Sequence, residues 1–272
     1  MDMTKPESLK PPPRVTTRSL AKMRRDGQSI SMLTAYDYPT AEILDRAGID
    51  ILLVGDSLAM VVQGHDTTLP VTMDQLIYHA EMVGRAAKRA MVVVDLPFPE
   101  GQLEIMRTVA CGARVLKETK CHAVKLEGGA EQAGRIETMV TAGIPVMAHV
   151  GLRPQNVHVE GGYRVKREIK TLVNDAVAAE NAGAFAVLVE CVSTEVGQAI
   201  NDAVNVPTIG IGAGGATTGQ VLVTNDLIGL TSGYSPKFVR KMADVSTTIY
   251  EAAIQYRDAI ADNTFPGDAE SF

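Results

Sequence analysis

At 272 residues, 46% hydrophobic and 21% charged, the chain is long enough for one large α/β domain or two small ones and too apolar to stay disordered. A net charge of −6 argues against a general nucleic-acid binder, and no apolar run approaches the ~20 residues of a membrane span. Cys111, Cys121 and Cys191 form no CxxC pair, so neither a disulfide framework nor a zinc site is indicated.

Reduced thiols and the lack of a secretory-type apolar core near the N-terminus lead to the expectation of a soluble, cytoplasmic protein. Met1 to Arg18 reads as a flexible, Pro-rich arm in which Pro11-Pro12-Pro13 favours an extended form. Ser19 is placed to cap a short helix that runs to Asp26 and ends at Gly27. From there short apolar runs alternate with amphipathic stretches. Ile30 to Thr34, Ile51 to Val54, Met91 to Val94 and Ala123 to Leu126 read as the first four strands. Pro145 to Ala148, Ala184 to Val189 and Pro207 to Ile209 follow, and Asp226 to Leu230 is the candidate for an eighth. Helices are expected between them, one of them capped by Thr72, and a long amphipathic helix from Pro236 to about Ala261 closes the chain.

Strands alternating with helices mean a parallel sheet, and eight units fit a (β/α)₈ TIM barrel with a short N-terminal helical extension. The expected organisation is an arm at residues 1–18, a single barrel domain at 19–266 and a tail at 267–272. An open doubly wound sheet is the alternative, but there the functional residues gather at one switch point. Here Asp56, Asp95, Glu127, His149 and Glu190 close successive strands, which in a barrel forms a ring around one pocket.

Crowded carboxylates repel one another, and a divalent cation removes that conflict. Three oxygen donors, Asp56, Asp95 and Glu127, suit Mg²⁺; capping a strand end or a helix N-terminus is the competing role for each. Lys125 shares a strand face with Glu127, so it either bridges that carboxylate or meets a substrate carboxylate or enolate oxygen. Ser57 and His149 are candidate hydrogen-bond donors to substrate, and Glu190, after an apolar run, is placed to be a general base with a raised pKa. Gly210 to Gly215 formally match GxGxxG, but too little chain follows for a dinucleotide-binding unit.

Gly55-Asp56-Ser57, Asp95-Leu96-Pro97-Phe98, Val124-Lys125-Leu126-Glu127-Gly128-Gly129, His149-Val150-Gly151-Leu152, Gly161-Gly162-Tyr163 and Glu190-Cys191-Val192 together resemble the ketopantoate hydroxymethyltransferase family. The similarity runs from about Thr17 to Pro266. It implies a homodecameric (β/α)₈ barrel of the pantothenate pathway, moving a one-carbon unit from 5,10-methylenetetrahydrofolate to 3-methyl-2-oxobutanoate to give 2-dehydropantoate. It also implies Asp56, Asp95 and Glu127 as Mg²⁺ ligands, Asp56, Ser57, Asp95, Lys125 and His149 as substrate contacts, and Glu190 as the proton acceptor in enolate formation. Its partners are then a 2-oxo acid and a reduced folate, with neither nucleic acid nor membrane.

Three short stretches depart from the family pattern. Pro99-Glu100-Gly101 replaces Gly-Ser-Tyr, Lys166-Arg167 replaces Gln-Gly, and Thr217-Thr218 replaces Cys-Asp. These leave two other readings open: a related Mg²⁺ barrel enzyme that works on a 2-oxo acid without folate, and a catalytically silent barrel.

Overall fold

β-Branched runs bounded by glycine, proline or polar turns fold here into strands, and the intervening amphipathic stretches fold into helices that cover them. The computed structural model describes residues 13–231, 233 and 235–272. Most of the expected Pro-rich arm therefore lies outside the described residues. Among them, parallel strands β1 (Ile30–Thr34), β2 (Ile51–Val54), β3 (Met91–Asp95), β4 (Ala123–Glu127), β5 (Val146–Gly151), β6 (Ala186–Glu190), β7 (Thr208–Ile211) and β8 (Gly219–Leu222) form a closed barrel in chain order.

Strand alternation separates two apolar layers. Ile51, Leu53, Met91, Val93, Met147 and Leu188 point inward and fill the barrel, together with Leu20 from the N-terminal helix Thr17–Arg25. Leu52, Val92, Val94, Val124, Leu126 and Val146 point outward into the helix layer. The inward set continues upward as Asp95, Lys125, Glu127, His149 and Glu190, because register pairs Asp95 with Lys125, Glu127 with His149, and Gly151 with Glu190. Apolar filling thus gives way to charge at the C-terminal ends of the strands.

Several expected elements are corrected. The N-terminal helix is capped by Thr16, whose hydroxyl accepts from the Ser19 N–H; Ser19 returns a bond to the Thr16 N–H and so completes a capping box rather than starting the helix. The eighth strand is Gly219–Leu222, while Thr224–Leu227 is a helical turn. The last helix is Val245–Ala261, started by Asp244, whose carboxylate accepts from the Thr247 N–H, so residues 236–244 lie outside it. Thr72 does cap the helix Met73–Ala86, in a capping box with Gln75.

Where one domain over 19–266 is expected, contacts group the chain into two units that divide after Val221. The second holds the helix Val245–Ala261, none of whose side chains is buried. Among the described residues no helix is long and apolar enough to cross a membrane.

Leu20 is fully buried in the cluster that fills the barrel interior. Arg24 of the same helix donates to the Asn201 and Val204 carbonyls and to Thr218 Oγ1, all at 2.6 Å, tying the helix to the N-terminal end of the barrel. Truncating Leu20→Ala is expected to lower unfolding stability by about 2–5 kcal/mol, the usual cost of a buried Leu-to-Ala cavity. A denaturant midpoint close to wild type would show that the helix does not seal the barrel.

Candidate active site

Each site element begins as a hydrophobic strand that stops on a polar residue just where the barrel opens. At β2 the chain turns through Gly55. A Cβ there would sit 2.9 Å from Ser57 Oγ and 3.3 Å from Asp95 Oδ2, so any larger residue would have to push one of these side chains out of place. The turn points the Asp56 N–H at Asp95 Oδ2, 2.9 Å away. Ser57 shares a 2.8 Å hydrogen bond with the buried Tyr36 hydroxyl, and His79 Nδ1 lies 2.6 Å from the Tyr36 carbonyl oxygen.

Lys125 is only 4% exposed, and its ammonium meets Asp95 Oδ1 at 2.7 Å. The ion pair expected within one strand, Lys125 with Glu127, is therefore replaced by one between neighbouring strands. Strand register explains the change, since Asp95 lies directly opposite Lys125 whereas Glu127 lies opposite His149. Lys125 also stands 3.0 Å from His149 Nδ1. An ammonium can only donate, so Nδ1 accepts and Nε2 carries the imidazole proton. His149 Nε2 lies 3.1 Å from Glu190 Oε2 but is not aligned for a hydrogen bond, so Lys125, His149 and Glu190 stand side by side on three adjacent strands with only the first two bonded.

Burial and charge determine which of these groups hold protons. Burial pulls the Lys125 ammonium down, but Asp95, Glu127 and Asp56 outweigh it and hold the group above its ordinary range. Burial, and then the Lys125 charge, push His149 well below its ordinary value and keep it neutral. Asp56 is raised to about 7, first by burial and then by repulsion from Asp95. Glu127 is raised well above its ordinary value by burial and then by Asp56. Glu190 is raised to about 7 by burial against the opposing pull of Lys125, as expected of its apolar surroundings.

All seven residues singled out from sequence thus gather at one end of the barrel. Among the described residues, however, no three His, Cys, Asp or Glu side chains stand together as a ready metal cage. Asp56 and Asp95 are linked through the Asp56 N–H. Glu127 Oε2 accepts the Gln155 backbone N–H at 3.1 Å, and its Oε1 is a buried acceptor with no hydrogen-bond partner. Two repelling carboxylates beside an unpartnered buried carboxylate oxygen suit a hard divalent cation.

Three residues that sequence reasoning passed over belong to the site. Tyr36 supports Ser57. Gln155, within a stretch read as a polar loop, contacts both Asp56 and Glu127. Tyr163 is near enough for Asp56, Glu190 and Glu127, after burial, to raise its phenol. Only the family-like Gly161-Gly162-Tyr163 pattern pointed to Tyr163; a lone Gln in a polar loop carries no signal.

The departures from the family pattern also find their places. Thr218 bonds Arg24 and Thr208 just before β8, at the end of the barrel opposite the mouth. Glu100 pairs with Arg107 at 3.0 Å. Lys166 pairs with Glu160 at 2.6 Å, and its backbone bonds Cys191 and Ser193 beside the end of β6. Cys191 adopts a φ of +49°, unusual for a side-chain-bearing residue, directly after Glu190. Gly151 lies against it, and a Cβ there would collide with the Glu190 carbonyl oxygen.

The chain is similar to known proteins along nearly its whole length. The family model for ketopantoate hydroxymethyltransferase matches residues 14–268. A 3-methyl-2-oxobutanoate hydroxymethyltransferase from Rhodopirellula baltica is 70% identical over 98% of this chain and 99% of that protein. One from Desulforapulum autotrophicum is 50% identical over 96% and 99%. A solved phosphoenolpyruvate phosphomutase from Streptomyces platensis subsp. rosaceus shares the fold, with a TM-score of 0.63 at 16% identity over 91% of this chain and 88% of that one.

The raised carboxyls have a consequence for stability. Asp56 and Glu190 move from ordinary values of 3.8 and 4.5 to about 7, so between about pH 4 and 7 the folded protein holds protons that the unfolded chain has released. Their contribution is full below about pH 4 and lost as pH rises through about 7. Without divalent cations, the melting temperature of wild type should therefore fall more between about pH 5 and 8 than that of Asp56→Asn. Equal falls would show that Asp56 does not titrate in this window.

Proposed function

The chain belongs to the ketopantoate hydroxymethyltransferase family and is an enzyme that transfers a hydroxymethyl group to 3-methyl-2-oxobutanoate, and from that premise we propose how the barrel mouth performs the transfer. The donor is 5,10-methylenetetrahydrofolate, and the reaction passes through the enolate of the 2-oxo acid. The observation that carries this reading is Glu190: a half-buried carboxyl with its pKa raised to about 7, its Oε2 3.1 Å from the Nε2 of a neutral imidazole.

A general base for a weak carbon acid works best when its pKa lies near the working pH, and burial sets that value here. In its ionised form Glu190 takes the proton from C3 of the substrate. Negative charge then moves from C3 to the keto oxygen, and C3 attacks the folate-borne methylene carbon. Both C–N bonds that hold that carbon on folate are given up as C3 bonds to it. One water supplies the hydroxyl, and the second proton of that water together with the proton taken from C3 goes to the two folate nitrogens.

Lys125 presents fixed positive charge toward the oxygens where the negative charge develops, at no reorganisation cost, because Asp95 and His149 already hold it. The Ser57 hydroxyl, held by Tyr36, is placed to bind the substrate carboxylate. His149 stands beside Glu190 at the mouth.

Asp56 and Asp95 would hold a divalent cation, for which Mg²⁺ is the natural candidate, and Glu127 contributes a third carboxylate beside them. When bound, that cation supplies Lewis-acid polarisation of the 2-oxo acid. Three unpaired cysteines suit a reducing, cytoplasmic setting.

We also read the protein as a homo-oligomer, a homodecamer by family resemblance. Ile249, Tyr250, Tyr256 and Ile260 are exposed along the helix Val245–Ala261, an apolar surface of the kind that subunit contacts cover. Sedimentation at micromolar concentration should give a mass several times the 29.0 kDa chain; a monomer would refute the assembly.

Glu190→Gln should lower turnover by about 10²–10⁴-fold, the usual contribution of a general base. The same variant should also slow deuterium exchange at C3 of 3-methyl-2-oxobutanoate, measured by NMR with Mg²⁺ and no folate. Exchange at the wild-type rate would assign the proton transfer to another group.

A further inference from the structure

Gln155 joins several ends of the site although it lies on none of the strands. It follows β5, is 4% exposed, and is the middle residue of the short turn Pro154–Asn156. Its Nε2 donates to Asp56 Oδ2 at 2.9 Å and to the Leu96 carbonyl at 3.0 Å. Its Oε1 accepts from Gln102 Nε2 at 2.9 Å. Its backbone N–H donates to Glu127.

These partners leave no choice about which way the amide points. A backbone carbonyl can only accept, so the NH₂ end must face Leu96 and Asp56, and the oxygen end must face the Gln102 donor. Gln102 is itself secured, because its backbone carbonyl accepts from Arg135 NH2 at 3.0 Å. The loop after β3, the loop after β5 and the turn after β2 are therefore linked by a single amide. One oxygen of Asp56 is fixed by that amide, and the carboxylate can rotate only by breaking the bond.

We propose that Gln155 is a positioning residue for the cation site: its side-chain amide sets the orientation in which Asp56 takes up a divalent cation, and Gln102 holds that amide in place. The inference rests on the assignment of a cation to Asp56 and Asp95. Partners of metal-binding carboxylates act in this way, and removing one commonly weakens metal affinity by about 10–100-fold. The Glu127 bond comes from the backbone of Gln155, so replacing the side chain leaves it in place and removes the links to Asp56, Leu96 and Gln102.

The experiment uses the full-length protein without substrate and follows Mn²⁺ binding by electron paramagnetic resonance, with thermal unfolding monitored in parallel. Gln155→Met, of similar length and without polar atoms, is expected to raise the Mn²⁺ dissociation constant about 10–100-fold. Gln102→Met should shift it in the same direction by a smaller factor, and Asp56→Asn should shift it most. Wild-type affinity in Gln155→Met beside a large loss in Asp56→Asn would overturn the proposal. So would a lowered melting temperature with unchanged affinity, which is the mark of a purely structural residue. If Gln155→Met does not fold, Gln102→Met decides, and unchanged affinity there overturns the proposal. A wild-type protein that binds no Mn²⁺ would remove the cation assignment itself and this inference with it.

Discussion

The Lys125 ammonium, almost without access to water, is the charge around which the barrel mouth is arranged. An unpaired cation in such a place would lose its proton, so the fold must bring anions to it. Asp95 does so directly from the neighbouring strand at 2.7 Å. Asp56 is pushed upward by burial and then by Asp95, Glu127 by burial and then by Asp56, and Glu190 by burial against the pull of Lys125. The same enclosure that protects the Lys125–Asp95 pair thus leaves Asp56 and Glu190 exchanging protons near neutrality.

Much of this was legible in the chain because apolar runs ending on charged residues are a strong local signal, and a parallel barrel turns a list of strand ends into a ring. Seven of the eight strands and all the inward-facing charges follow from that logic. The eighth strand did not, because Gly219-Gln220-Val221-Leu222 has little more apolar character than Asp226 to Leu230, and short runs do not distinguish a strand from a helical turn. The partner of Lys125 was hidden for a different reason. Alternation within one strand shows which side chains share a face, but the opposing residue depends on register with another strand. Gln155 was hidden because its importance lies entirely in long-range contacts, the bond to Asp56 spanning 99 residues.

The departures from the family pattern carry less functional weight than their number suggests. Thr218 helps Arg24 anchor the N-terminal helix, and Thr217 braces the start of β8 through the Gly219 carbonyl and Gln220. Glu100 is taken up by Arg107 and, through its carbonyl, by Thr108. Lys166 braces the loop that runs beside β6. Among the described residues none of the three stretches gives a side-chain hydrogen bond to Asp56, Asp95, Lys125, His149 or Glu190, which stand in contact with one another and with Gln155.

The two-sided alternation of the strands also bears on how such a gene can change in length. Losing a single codon within β4 would swing Lys125 and Glu127 into the helix layer and bring Val124 and Leu126 to the mouth, exchanging the catalytic face for a greasy one. Loops carry no such phase, so insertions and deletions can accumulate between strands, whereas inside a strand only even-numbered changes preserve which side chains face the substrate. Length variation among descendants of this barrel should therefore be concentrated in the connections, and the strands should behave as a fixed ruler.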